Sequence, residues 1–92
     1  MYHLYILYSP GHDKYYIGQT GDISQRLDAH NRISKNSYTS KYRPWQLLVS
    51  IEFDERGKAM KVEKYLKKKP RIFLFRLSYD VELVNYLMDR FG

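Results

Sequence analysis

Two runs rich in aromatic and β-branched residues open the chain, "YHLYILY" at 2–8 and "YYIGQ" at 15–19, separated by the polar turn cluster "SPGHDK". That pattern predicts a β-hairpin. Pairing Tyr8 with Tyr15 across the six-residue turn puts His3, Tyr5, Leu7, Tyr16 and Gly18 on one face, and Leu4, Ile6, Tyr8, Tyr15 and Ile17 on the other. Tyr5 and Tyr16 then share a face. Thr20, Gly21 and Asp22 supply a turn and an N-cap, and Ile23 and Leu27 begin a first helix that should run to His30 or Asn31. The segment 32–44, "RISKNSYTSKYRP", is polar, basic and without period, which reads as a surface loop; "WQLLVSIEF" at 45–53 reads as a third strand.

A second helix should start at Asp54 or Glu55 and continue to about Lys69, where Pro70 stops it. Helical spacing places Ala59, Met60, Val62 and Leu66 on one side and Lys58, Lys61, Lys64 and Lys68 on the other. In the remaining "RIFLFRLSYDVELVNYLMDRFG", Ser78, Asp80 and Glu82 mark a helix start. Val81, Val84, Leu87 (or Met88) and Phe91 form its apolar stripe, while "RIFLFRL" stays open between strand and helix. The expected fold is α/β: a three-stranded antiparallel sheet with flanking helices, in the order β-β-α-β-α, plus a C-terminal helix covering part of the sheet. No repeat, linker or low-complexity segment divides residues 1–92, so a single domain is expected.

Composition narrows the partners. Sixteen Lys and Arg against ten Asp and Glu give a net charge of +6, which favours a polyanion such as nucleic acid. The absence of cysteine excludes disulfide scaffolds, thiol catalysis and cysteine-ligated zinc, and His3, His12 and His30 lack paired ligand spacing. No basic leader with an apolar core precedes Ser9, and no apolar run approaches the roughly 18 residues of a membrane span. A cytoplasmic location without membrane partners is the expectation.

Three features carry candidate chemistry. Arg26 and His30 lie one helical turn apart, a donor pair suited to a phosphate, or else a solvated arginine beside a packed histidine. Glu63 falls within the apolar side of the second helix, so its carboxylate needs an arginine, a tyrosine hydroxyl or a metal cation as partner; a structural salt bridge with Arg26 or a lysine is the plainer alternative. Lys61 and Lys64, with Arg32, Lys35, Lys41 and Arg43 in the loop, form either a solvated surface or the flanks of a groove that tracks a nucleic-acid backbone.

Tyr16-Ile17-Gly18 is a literal Tyr-Ile-Gly, and His3-Leu4-Tyr5 keeps the tyrosine of a Gly-Ile-Tyr eleven residues earlier. Arg26 follows ten residues after Tyr16, then His30 one turn on, then Glu63 on the helix after the third strand. In these residues the chain resembles the GIY-YIG nuclease family. Through "YILYS", "YYIGQT", "YTSKYRPW" and the "HN" and "A.K.E" positions it is similar to short, stand-alone, uncharacterised members related to the nuclease domain of the bacterial excision-repair C subunit. The resemblance covers about residues 2–69; residues 70–92 diverge.

The resemblance implies an endonuclease that hydrolyses phosphodiesters, of DNA rather than RNA, in a setting such as DNA repair. It implies one Mg²⁺ or Mn²⁺ ion held by Glu63 and stabilising the departing 3′ oxygen. Tyr16 or Tyr5, its pKa lowered by the metal or by neighbouring cations, would take the proton from water, Arg26 would neutralise the phosphoryl oxygens, and His30 would orient the base or the phosphate. The five residues should converge on one concave patch between the sheet and the two helices. The alternatives are a non-catalytic nucleic-acid-binding module, or a protein-interaction domain whose partner supplies targeting.

Overall fold

The computed structural model of the chain describes residues 1–33 and 37–92. Strands β1 (Tyr2–Ser9) and β2 (Lys14–Thr20) form the expected hairpin, with Tyr8 opposite Tyr15 and Tyr5 opposite Gly18. Asp13 holds the turn from the left-handed region at φ 52°. Its carboxylate accepts from the Tyr8 hydroxyl at 3.1 Å and pairs with Arg71. Asp22, at the end of the next turn, accepts from the Gln25 amide at 3.0 Å and so caps α1 (Ile23–Asp28).

The first helix does not continue as an α-helix to His30; it widens into a π-helical turn over Ala29–Ile33. Within the segment expected to be loop, a short helix α2 (Ser37–Lys41) forms instead. Its tertiary anchor is the Trp45 indole, which donates to the Thr39 carbonyl at 2.8 Å. Local polarity therefore concealed the helix at Ser37–Lys41. Lys35 lies outside the described residues.

Strand β3 (Gln46–Phe53) pairs antiparallel with the other side of β1, giving the order β2-β1-β3. Helix α3 spans Arg56–Leu66 and stops three residues before the expected Lys69. Its end tightens through i→i−3 bonds from Lys68 to Tyr65 and from Lys69 to Leu66. Pro70, in extended backbone, then starts α4 (Arg71–Arg76), which settles "RIFLFRL" as helix. Asp80 caps α5 (Val81–Phe91) through the Leu83 amide and pairs with Arg76 at 2.8 Å. None of the helices among the described residues is long and apolar enough to cross a membrane.

Because β1 is central, its residues are buried on both faces: Leu4, Tyr5, Ile6 and Leu7 are each at most 2% exposed. Leu4 and Ile6 pack with Ile17, Val49, Ile51 and Phe53 against α3, α4 and α5, where Ala59, Val62, Leu66, Leu74 and Leu87 complete the larger core. Tyr5 and Leu7 face the opposite way, into a smaller core with Trp45, Tyr16, Ile23 and Leu27. The C-terminal helix thus does cover part of the sheet. Its stripe is displaced from expectation, since Val81 is 70% exposed while Leu83 packs inward; Val81 is the first helical residue, and the helix turns away from the core there.

Replacing the fully buried Leu87 by alanine should lower unfolding free energy by about 2–5 kcal/mol. Val81→Ala should change it by less than about 0.5 kcal/mol. Urea denaturation of the two variants beside the parent chain checks both; equal effects would contradict the placement of α5.

Candidate active site

Gly18 has no side chain because Tyr5 occupies the space one would need. A Cβ built there would lie 2.5 Å from the Tyr5 hydroxyl oxygen and 2.6 Å from its Cζ. The ring therefore crosses the backbone of β2 and directs its hydroxyl to Nε2 of His30, 3.0 Å away. Tyr16, on the same face of the hairpin, stacks on Tyr5 with ring centroids 6.3 Å apart. It lies 4.6 Å from the His30 ring and 6.3 Å from Trp45. Two tyrosines and a histidine thus form one interlocked cluster.

The π-helical turn carries His30 to this position, and Asn31 fixes the turn. The Asn31 side-chain amide donates to the Trp45 carbonyl at 3.0 Å, and its oxygen accepts from the Trp45 amide at 2.6 Å, clamping the start of β3. Arg43 Nε donates to the His30 carbonyl at 2.8 Å. Wider helical turns of this kind commonly mark functional positions. Sequence reasoning missed Asn31, Trp45 and Thr39 as supports of the site. Their signal was present in the "HN" and "YTSKYRPW" stretches, but the bond joins residues fourteen apart, and a pattern of local spacing does not reveal it.

Arg26 and Glu63 flank the cluster from different sides. Arg26 is exposed and borders a depression with Thr20, Gln25 and Ala29. Glu63 borders another with Gln19, Met60, Lys64 and Lys67. Gln19 and Thr20 are neighbours on the edge strand, so their side chains leave on opposite faces of the sheet. Both the Arg26 guanidinium and the Glu63 carboxylate act on the Tyr5 phenol at the centre of the cluster. They approach it from α1 and from α3, which pack on opposite faces of the sheet.

The Glu63 side chain is 24% exposed, and its Oε2 accepts from Lys67 Nζ at 2.8 Å. Its other oxygen has no partner among the described residues. Lys67, not Arg26, is the ion-pair partner, and Met60 at 50% exposed shows that this side of α3 tilts outward. The described residues contain no group of three or more His, Asp and Glu suited to a metal ion. What the depression offers a cation is the free oxygen of one carboxylate beside the amide of Gln19, with Lys64 and Lys67 also in its lining. Carboxylate and amide oxygens are the ligand types of a hard divalent ion that keeps most of its waters.

Burial is the dominant electrostatic influence on the cluster. It pushes the Tyr5 phenol well above its ordinary value, helped by the adjacent Tyr16 and the Glu63 carboxylate and opposed by Arg26. Without a metal ion, the lost hydration of Tyr5 outweighs the nearby cation Arg26. His30 is pushed down, first by burial and then by Arg26 and Arg43. At neutral pH the buried pair is a neutral phenol and a neutral imidazole. His30 Nδ1 is buried and finds no partner among the described residues.

Of the basic residues expected to meet a nucleic-acid backbone, two have structural work. Arg43 braces the His30 carbonyl, and Arg32 pairs with Asp28 at 3.0 Å. Lys41 is exposed at the end of α2, its ammonium 5.4 Å from the Tyr42 ring. Lys61 and Lys64 are exposed on α3.

The depressed pKa of His30 links stability to pH. The unfolded chain takes up a proton near the ordinary histidine value of about 6.5, while the folded ring resists it until lower pH. Stability should be fully present above about pH 6.5 and fall as pH drops from there through the folded value. Denaturation midpoints between pH 8 and 5 should show this slope, and His30→Gln should flatten it; an unchanged slope would exclude His30 as its source.

The sequence matches the family model described as the GIY-YIG catalytic domain over residues 1–73. It is 37% identical over 70 residues to a UPF0213 protein of Xanthomonas campestris, covering 76% of this chain and 68% of that protein. A UPF0213 protein of Streptococcus pneumoniae is 39% identical over 82 residues, covering 85% and 82% respectively. The UPF0213 protein YazA of Bacillus subtilis is 34% identical over 59 residues, covering 64% of this chain and 60% of that one. No solved structure matches. The matched region runs from the hairpin through the His30 turn and α3 into α4, and the chain belongs to the GIY-YIG nuclease family.

Proposed function

We propose that the chain hydrolyses phosphodiester bonds of nucleic acid, DNA in preference to RNA, with the help of one divalent cation. The observation that carries this reading is the Tyr5–His30–Tyr16 cluster closed over Gly18, with the exposed Arg26 at its border. An ordinary core does not need a buried neutral imidazole held between two phenols beside an exposed guanidinium. Glu63, with Gln19 beside it, is the group that would hold Mg²⁺ or Mn²⁺. Such an ion, when bound, supplies positive charge against the charge developing on the departing 3′ oxygen.

The chain's own residues divide the remaining work. Tyr16 is only partly buried, so its hydroxyl is the one of the pair that a water molecule can reach. It takes the proton of the attacking water as it passes its own toward neutral His30, whose ring lies 4.6 Å from its own. Tyr5, held neutral by burial, fixes the imidazole through Nε2. Arg26 faces the phosphoryl oxygens, where charge accumulates as the water oxygen attacks phosphorus and the 3′ oxygen leaves. Lys41, Lys61 and Lys64 hold the flanking backbone, so affinity falls steeply with salt through counterion release.

The Lys67–Glu63 ion pair favours a second reading, a binding module without turnover, since it occupies one carboxylate oxygen. Incubation with branched, single-stranded and duplex DNA and RNA under Mg²⁺ or Mn²⁺ separates the two. Nicking is expected, and Glu63→Gln should abolish it while leaving most backbone affinity. Tyr16→Phe should lower kcat by about 10²–10⁴-fold, and Arg26→Ala by about 10²–10³-fold. Cleavage by Glu63→Gln at the parent rate would contradict the assignment. Binding without cleavage by the parent chain would establish the second reading.

A further inference from the structure

A cavity of about 390 Å³ opens where the end of α3 and α4 meet the outer edge of β2. Its volume lies within the roughly 300–1,000 Å³ usual for small-molecule sites. Tyr15 and Ile17 of β2, Leu66 of α3 and Leu74 of α4 give it apolar and aromatic walls, and Lys67 and Lys69 complete the lining. No carboxylate lines it. Among the described residues Lys69 has no acidic partner; its ammonium lies 4.6 Å from the Tyr65 ring and 5.3 Å from the Phe73 ring.

The cavity is continuous with the site proposed above. Tyr16 borders it, and Lys67 borders both this cavity and the depression that holds Glu63. An apolar, aromatic-walled space bordered by two lysines, one held by Glu63 and one resting on aromatic rings outside the lining, selects a ligand with a flat, weakly polar body and a negative charge that can draw the lysines in. A nucleotide has both.

We infer that this cavity takes one unpaired nucleotide of the nucleic-acid substrate, its base against the Tyr15 ring over the floor formed by the buried Ile17, Leu66 and Leu74, and its phosphate on Lys67 and Lys69. The inference rests on the nuclease reading and specifies its substrate as one with an unstacked nucleotide beside the cleaved bond. It also gives Lys67 a second position: drawn to the phosphate, it releases the Glu63 oxygen that it holds at 2.8 Å without substrate.

Methyl NMR of the intact chain without metal, where no cleavage occurs, tests the cavity directly. The probes are 2′-deoxyadenosine 5′-monophosphate and, separately, inorganic phosphate. The nucleotide should shift the methyl signals of Ile17, Leu66 and Leu74, and phosphate should leave them in place. A duplex with one bulged adenosine should bind about tenfold more tightly than its fully paired counterpart, the scale of a single base–aromatic contact. Tyr15→Ala and the surface change Lys69→Glu should each remove that preference, and Lys69→Glu keeps the test meaningful where Tyr15→Ala disturbs folding.

No methyl shift with the nucleotide at millimolar concentration, or equal shifts with phosphate alone, overturns the inference. Selective nucleotide binding by a chain that cleaves nothing under Mg²⁺ or Mn²⁺ supports the cavity assignment and overturns the nuclease reading. Cleavage without nucleotide binding here does the reverse.

Discussion

The close approach of the Tyr5 ring to the backbone at Gly18 is the contact on which the rest of the site depends. Neighbouring strands lie only about 4.8 Å apart, so a ring laid from β1 across β2 needs a partner position with no side chain. Gly18, directly opposite Tyr5, provides it. The ring then fills the volume a β-carbon would take and brings its hydroxyl to His30. Any larger residue would force the ring away, and the His30–Tyr16 arrangement would lose the group that orients it. Of the Tyr-Ile-Gly triplet, the glycine serves space, the isoleucine serves the larger core, and the tyrosine faces the site.

A central strand buried on both faces explains why the site draws on helices from both sides of the sheet. β1 sends Tyr5 and Leu7 to one side and Leu4 and Ile6 to the other. The helices divide accordingly, α1 and the π-helical turn with the tyrosines, α3 to α5 with the larger core. Arg26 and Glu63 consequently come from helices on opposite faces of the sheet. Tyr5 feels the charge of both.

Features set by neighbours in the chain were legible from the residues. The hairpin register followed from the tyrosine and isoleucine alternation, and Asp22 and Asp80 were readable as caps because each has its acceptor three residues before the amide it holds. Features set by distant contacts were not. The π-helical turn depends on Asn31 clasping Trp45, and α2 depends on Thr39 receiving the Trp45 indole. Helical spacing brought Glu63 inward, yet the side of the sheet on which α3 packs is a property of topology, and the ion pair with Lys67 becomes visible only once α3 is tilted. The cluster of tyrosines and histidine was recoverable from spacing; its protonation was not, because burial, which sets it, is not written in spacing.

Nitrogen-15 NMR of the His30 ring in the parent chain and in Gly18→Ala is the most direct measurement of the central claim, that Gly18 exists so that Tyr5 can hold His30. In the parent chain the ring should be neutral, of one tautomer, and should titrate below the ordinary histidine value. In Gly18→Ala, with the rest of the fold retained, the added methyl should displace Tyr5, mix the tautomers and return the titration toward the ordinary value. An identical tautomer and titration in the two proteins would contradict the account.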